Sequence, residues 1–213
     1  MAVDLIVPMK PPHAGKSRLR GVLGAPDRAD CHAALVLALA EDTVAAALAT
    51  PGVRRVVVVS GDPAALAVVR ELGAELLAED APAGLNAALR AGERLVRADD
   101  PDAVVGALQA DLPALRPAEL AAATAEAGRR RAFAADRHGT GTTLLLSAPG
   151  EPLDPRFGPD SARDHARSGA VALGLTAPSL RADVDTPADL DHARLLGLGP
   201  RTTAILATTC ALR

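Results

Sequence analysis

Arg55-Val56-Val57-Val58-Val59-Ser60-Gly61-Asp62-Pro63 sets four consecutive β-branched residues directly before a helix-start signal. A run that is apolar towards both faces suits an interior strand of a parallel sheet. Asp62 then reads as an N-cap, with Pro63 at the first helical position. Upstream, Val3 to Pro8 is a second short apolar strand, followed by a polar Pro/Gly loop from Met9 to Ser17 and a mostly buried helix from about Pro26 to Thr50. Downstream, Gly73 closes the Pro63 helix, Glu75 to Ala78 is a third strand, and Leu85 to Arg97 has helical period. Ala103 to Gln109 is a fourth strand running into Asp111-Leu112-Pro113, and Pro117 to Arg130 is a helix whose basic last turn suits its dipole. This alternation of strand and helix predicts an α/β fold with a mainly parallel, mixed sheet flanked by helices.

The second half is less regular. Ala132 to Ala135 and Thr142 to Ser147 read as strands around the turn Arg137 to Gly141, followed by a long Pro/Gly loop from Ala148 to Pro159. A short helix, Asp160 to Ser168, precedes a strand at Ala170 to Leu175 and another extended piece at Leu180 to Val184; Thr186-Pro187 starts a last helix through about Leu196. The 213 residues favour a single domain, residues 1–213, with a motif-bearing core of about 3–196 and a tail, 197–213, that the pattern does not place.

Composition excludes several classes of function. A net charge of -3, no Trp, no Tyr and only Phe133 and Phe157 leave neither a basic surface nor stacking platforms for nucleic acid. The longest uninterrupted apolar run, Ala33 to Ala40, is far short of the roughly 20 residues of a membrane span, so no membrane partner is expected. Cys31 and Cys210 have neither disulfide-framework nor metal-ligand spacing, which points to the reducing cytoplasm. Of 23 cationic side chains only Lys10 and Lys16 are lysines, and both fall in the first twenty residues. Random placement would do that about one time in a hundred, so a site needing a compact ammonium is indicated, as phosphate sites often do.

Ligands of open parallel sheets bind beyond the carboxyl ends of the strands, where strand order reverses. Asp111 lies just past the fourth strand, and Asp183 and Asp185, two apart on an extended segment, share a face. Two carboxylates about 5 Å apart repel by about 3 kcal/mol at an effective dielectric of 20, a cost that a hard divalent cation such as Mg²⁺ would remove. The plainer alternative makes Asp111 a loop acid before proline and Asp185 a turn residue, with Asp189 and Asp191 as solvated charges near a helix start. Gly15-Lys16-Ser17 invites a P-loop reading, but Lys10 occupies the position of the required first glycine. What survives is a loop whose Lys10, Lys16 and Arg18 suit a triphosphate.

Gly84-Leu85-Asn86 precedes a helix, where Asn86 is either an N-cap or a hydrogen-bonding partner for a nucleotide base or ribose. Phe157-Gly158-Pro159-Asp160-Ser161 puts a glycine and a hydroxyl at a helix start, where free backbone N–H groups make an anion site, and Thr143 on a nearby strand offers a second hydroxyl. His138, His165, His32 and His192 have no metal spacing and read as surface or packing residues, and no nucleophilic triad is legible.

Taken in order, Val7-Pro8-Met9-Lys10, Gly15-Lys16-Ser17-Arg18-Leu19, Gly84-Leu85-Asn86, Gln109-Ala110-Asp111-Leu112-Pro113, Gly141-Thr142-Thr143, Phe157 to Ser161 and Asp183-Val184-Asp185-Thr186 resemble the phosphoenolpyruvate / 2-phospho-L-lactate guanylyltransferases of coenzyme F420 biosynthesis. The resemblance implies a single-domain nucleotidyltransferase fold of the glycosyltransferase-A kind. It implies that Asp111, Asp183 and Asp185 hold Mg²⁺, with Lys16 and Asp111 the catalytic pair. Thr143, Gly158 and Ser161 would hold the phosphorylated three-carbon acid, and Lys10, Gly15, Lys16, Arg18, Gly84 and Asn86 the GTP. Phosphoenolpyruvate is the expected acceptor, because the preference for Ala and Arg over Ile and Lys suggests a high-GC bacterial source. The unstable product would then be handed to the next enzyme of the pathway. The alternatives are 2-phospho-L-lactate or 3-phosphoglycerate, a molybdopterin or sugar-phosphate acceptor on the same fold, or a catalytically silent nucleotide sensor.

Overall fold

The computed structural model describes residues 2–13, 16–19, 22, 29–78 and 84–210. Among them, seven strands form one mixed sheet: β1 (Val3–Met9), β2 (Val53–Ser60), β3 (Glu75–Ala78), β4 (Val104–Leu108), β5 (Ala132–Ala135), β6 (Thr142–Leu146) and β7 (Val171–Ala172). The helices are α1 (Ala29–Leu48), α2 (Pro63–Glu71), α3 (Leu85–Asp99), α4 (Pro117–Ala127), α5 (Ser161–Arg167), α6 (Pro187–Leu196) and α7 (Pro200–Cys210), with a 3-10 turn at Ser17–Leu19. The spatial order is β3-β2-β1-β4-β6-β5-β7. β1, β2, β3 and β4 run parallel, whereas β6 is antiparallel to both β4 and β5. Strand order therefore reverses between β1 and β4, which opens a crevice at their carboxyl ends.

The decisive stretch folds as its pattern requires. On β1 and β2, Leu5, Val7, Val56 and Val58 enter one core, and Ile6, Val57 and Val59 enter the other, so both faces of the sheet are dry. The Asp62 carboxylate accepts the Ala64 and Ala65 amides at the start of α2. On the second face α3 lies so close to β1 that a Cβ on Gly92 would stand 2.6 Å from Ile6 Cγ2, which only glycine tolerates. By length and composition α1 could cross a membrane, but half of that stretch is buried within the domain, as in a core helix.

Two local expectations are corrected, and most of the unassigned tail is placed. Leu180 to Val184 forms no strand; it is a turn and irregular chain held by side chains. The Glu119 carboxylate accepts Ser179 N at 2.8 Å and Leu180 N at 3.2 Å, and Arg181 donates to the carbonyls of Ala135 and Leu173. Asp189 is not a solvated charge but a buried one: it completes a capping box with Thr186 and pairs with Arg137 at 2.5 Å. The tail contains α7, whose first turn is capped by the buried Asp42 through the Arg201 and Thr202 amides at 3.1 and 2.8 Å. Leu206 and Ile205 add apolar packing against Leu35 and Leu39 of α1, but the Asp42 cap comes from a residue about 160 positions away, which no local pattern announces.

Candidate active site

A cleft of about 410 Å³ opens at the β1–β4 crevice. Met9 and Lys10 after β1, Gln109 to Asp111 after β4, Asp183 and Asp185 before α6, and Gly158 to Ser161 before and at the start of α5 all line it. The acidic segments are joined by backbone: the Val184 amide donates to the Asp111 carbonyl at 3.0 Å, and the Leu112 amide to the Thr43 hydroxyl at 2.9 Å. One buried residue between two acids thus fixes both beside the end of β4.

Lys16 reaches across this cluster. Its ammonium donates to Asp111 Oδ2 and, at 2.5 Å, to Asp185 Oδ1, while its backbone takes a left-handed φ of 53°. Burial works to lower the Lys16 pKa, but Asp111 and Asp185 overcome it and hold the ammonium above its usual range. Asp183 shows the opposite imbalance: burial first, then the charges of Asp111, Asp185 and Asp136, push its carboxyl up to about 7. Besides Asp160 at the start of α5, Asp136 is a further acid of the cleft, and the sequence reading missed it. Its carboxylate accepts the Thr140 and Gly141 amides at 2.9 and 2.8 Å, and the only trace in the sequence is an acid preceding the His138-Gly139-Thr140-Gly141 turn.

The other predicted residues divide. Lys10, Lys16, Asp111, Gly158, Ser161, Asp183 and Asp185 line the one cleft. Arg18 is exposed on the 3-10 turn and does not line it, and Gly15 lies outside the described residues. Thr143 is buried with its hydroxyl turned to the Ala134 carbonyl at 3.5 Å; strand alternation gives the cleft Thr142 instead. Gly84, not Asn86, is the N-cap of α3, with φ 89° and no side-chain cap. The Asn86 amide is instead committed to Phe157, accepting its N–H at 2.8 Å and donating to its carbonyl at 2.9 Å. The helix start at Ser161 is not a set of free amides either, because Ser161 N donates to the Gly158 carbonyl and Ala162 N to that of Thr140. What this corner offers a ligand is the Ser161 side chain and the backbone at Gly158, whose φ is 151°.

The family model described as "Guanylyl transferase CofC like" matches residues 3–207. The chain belongs to this family. The match continues into α7, so the family domain includes most of the tail. Among curated relatives, the phosphoenolpyruvate guanylyltransferase of Streptomyces scabiei is 53% identical over 97% of both chains. That of Thermomonospora curvata is 48% identical over 96% of this chain and 88% of its own. Solved structures share the fold: a putative nucleotide-diphospho-sugar transferase from Desulfovibrio desulfuricans has a TM-score of 0.72 at 18% identity, covering 100% of this chain and 97% of its own. A nucleotidyl transferase from Methanothermobacter thermautotroptrophicus has a TM-score of 0.58 at 18% identity, covering 91% and 98%.

The cleft of this CofC-like protein fits a hard cation by its chemistry. Asp111 Oδ1 is buried without a hydrogen-bond partner, and a carboxyl pushed up to about 7 would be relieved by a positive charge. Among the described residues no three acidic, histidine or cysteine side chains form a preformed cage, because the Lys16 ammonium stands between Asp111 and Asp185.

Proposed function

We propose that this protein joins GTP to phosphoenolpyruvate, giving enolpyruvoyl-diphosphoguanosine and pyrophosphate in the cytoplasmic synthesis of coenzyme F420. The observation that carries the reading is the Lys16 bridge over Asp111 and Asp185, facing Gly158 and Ser161 across one cleft. The names of the near-full-length relatives favour phosphoenolpyruvate over the other acceptors. A silent sensor would not need an acid cluster in which burial, and then the neighbouring carboxylates, raise the Asp183 carboxyl to about 7.

A phosphate oxygen of phosphoenolpyruvate attacks the α-phosphorus of GTP as the bond to the β-phosphate breaks, and pyrophosphate leaves with the electron pair. The attacking phosphate has its second pKa near about 6 and is ionised at neutral pH, so no side chain has to remove a proton. Catalysis is then positioning and charge neutralisation. Lys10 and Lys16 supply positive charge to the triphosphate, and Gly158 and Ser161 orient the acceptor. Mg²⁺, held by Asp111, Asp183 and Asp185, would neutralise the reacting phosphates. The product would be handed to the enzyme that consumes it.

Competition between phosphoenolpyruvate and 2-phospho-L-lactate, with GTP and Mg²⁺, tests the assignment. Both acceptors carry a phosphate and a carboxylate, so selection falls to the planar methylene against the tetrahedral methyl, a difference of about 1–3 kcal/mol. The expected result is preference for phosphoenolpyruvate without exclusion of the other; a higher kcat/KM for 2-phospho-L-lactate would refute it.

A further inference from the structure

His165 is a fully buried imidazole that the proposed reaction does not use, and its two nitrogens are both committed. The Arg156 amide donates to Nε2 at 2.9 Å, so Nε2 carries no proton. The proton is therefore on Nδ1, which donates to the Thr142 hydroxyl at 2.9 Å. This neutral tautomer ties the cleft strand β6 to the loop before Gly158. His165 also stands one turn after Ser161 on α5, on the same side of the helix, and the Phe157 ring meets it edge-on with centroids 5.0 Å apart. From the other direction, Asn86 pairs both backbone groups of Phe157, at 2.8 and 2.9 Å. The chain at 156–157 is thus clamped between α3 and α5, one residue before Gly158. Neither clamp lines the cleft.

We propose that His165 and Asn86 are positioning residues that set acceptor affinity by holding the Arg156–Gly158 backbone against Ser161. This deepens the functional reading above and rests on it, since it takes Gly158 and Ser161 as the acceptor's contacts. A helix and a loop joined only by their own backbone would let this corner drift, and small misplacements of a bound reactant are costly.

The test compares His165→Asn, His165→Gln, Asn86→Ala and Ser161→Ala by steady-state kinetics, with each substrate varied in turn, and by amide exchange at Arg156 and Phe157. An asparagine can reproduce the Thr142 bond but not reach the Arg156 amide, whereas a glutamine oxygen can stand where Nε2 does. His165→Asn and Asn86→Ala are expected to raise the acceptor KM by about tenfold or more and to speed exchange, with the GTP KM within about twofold. His165→Gln should return the acceptor KM most of the way to wild type. An acceptor KM raised by Ser161→Ala but unchanged in His165→Asn and Asn86→Ala would overturn the positioning role alone. An acceptor KM unchanged in Ser161→Ala would overturn the functional reading, and the proposal with it. Unlike the fully buried His165, Asn86 is half-buried in the first turn of α3, so its variant keeps the test decisive if a His165 variant fails to fold.

Discussion

Two clusters of acid and base sit at opposite ends of the same sheet, and they differ in how their charges are paired. At the amino end Asp4, fully buried on β1, takes Arg54 on both of its oxygens, and Arg55 lies 3.7 Å away. Arg54 continues to Asp100, and Arg55 to Asp99 and Glu75, so the signs alternate outward. At the carboxyl end Asp111, Asp183, Asp185 and Asp136 face Lys16 and the exposed Lys10 at the cleft rim. Every acid of the first cluster touches an arginine, whereas in the second, among the described residues, Asp183 and Asp136 have no ion-pair partner and Asp111 Oδ1 is buried without a hydrogen bond. Acids that each meet an arginine serve the fold, whereas acids left facing one another in a cleft mark a place where a ligand can supply positive charge.

Substitutions at the two ends should therefore separate activity from stability. The largest effect belongs to the cleft: Lys16→Ala and Asp111→Asn are each expected to lower pyrophosphate release from GTP by about a hundredfold to a thousandfold while the protein stays folded. Lys16→Arg should recover only part, because a planar guanidinium does not replace a compact ammonium. At the other end, Asp4→Ala removes the fully buried carboxylate on which Arg54 and Arg55 converge, and should cost about 1.5–3 kcal/mol in denaturant unfolding, with kcat per folded molecule unchanged. A reversed pattern, with Asp4 controlling turnover and Asp111 controlling folding, would break the comparison.

Smaller effects sharpen it. Burial and its acidic neighbours raise Asp183 to about 7, so at pH 8 the metal-free protein carries that charge at a cost. Asp183→Asn should then raise the Tm of the metal-free protein by about 2–4 °C at pH 8. His165 supplies the smallest shift. Burial first, then the charges of Arg131 and Arg156, lower its pKa to about 4, so the unfolded chain binds the proton more readily. Its contribution to stability is complete above about 6.5 and is lost as pH falls towards 4. In His165→Gln the urea midpoint should lose that component of its acid dependence.

The sheet was legible because its evidence is local: valine runs, caps and glycines each declare themselves within a few residues. Asp111, Asp183 and Asp185 were legible as a group because strand ends and a two-residue spacing are also local signals. Asn86 and His165 were not, since their partners, Phe157 and Thr142, lie 71 and 23 residues away, and Asp136 was not, because an acid just before a turn reads simply as a turn residue. The inward placement of Thr143 was not legible for a related reason. Which of two adjacent threonines faces the cleft depends on the irregular register between β5 and β6, and no residue type announces that.

The most direct test of the account is pyrophosphate release from GTP and phosphoenolpyruvate as Mg²⁺ is titrated, in wild type and in Asp183→Asn confirmed as folded. A cleft whose acids lack ion-pair partners and that serves phosphate chemistry requires strict dependence on the divalent cation in the wild type, and a large loss of turnover with a weakened Mg²⁺ response in the variant. Turnover without any divalent cation, or a variant with wild-type rate and Mg²⁺ response, would contradict it.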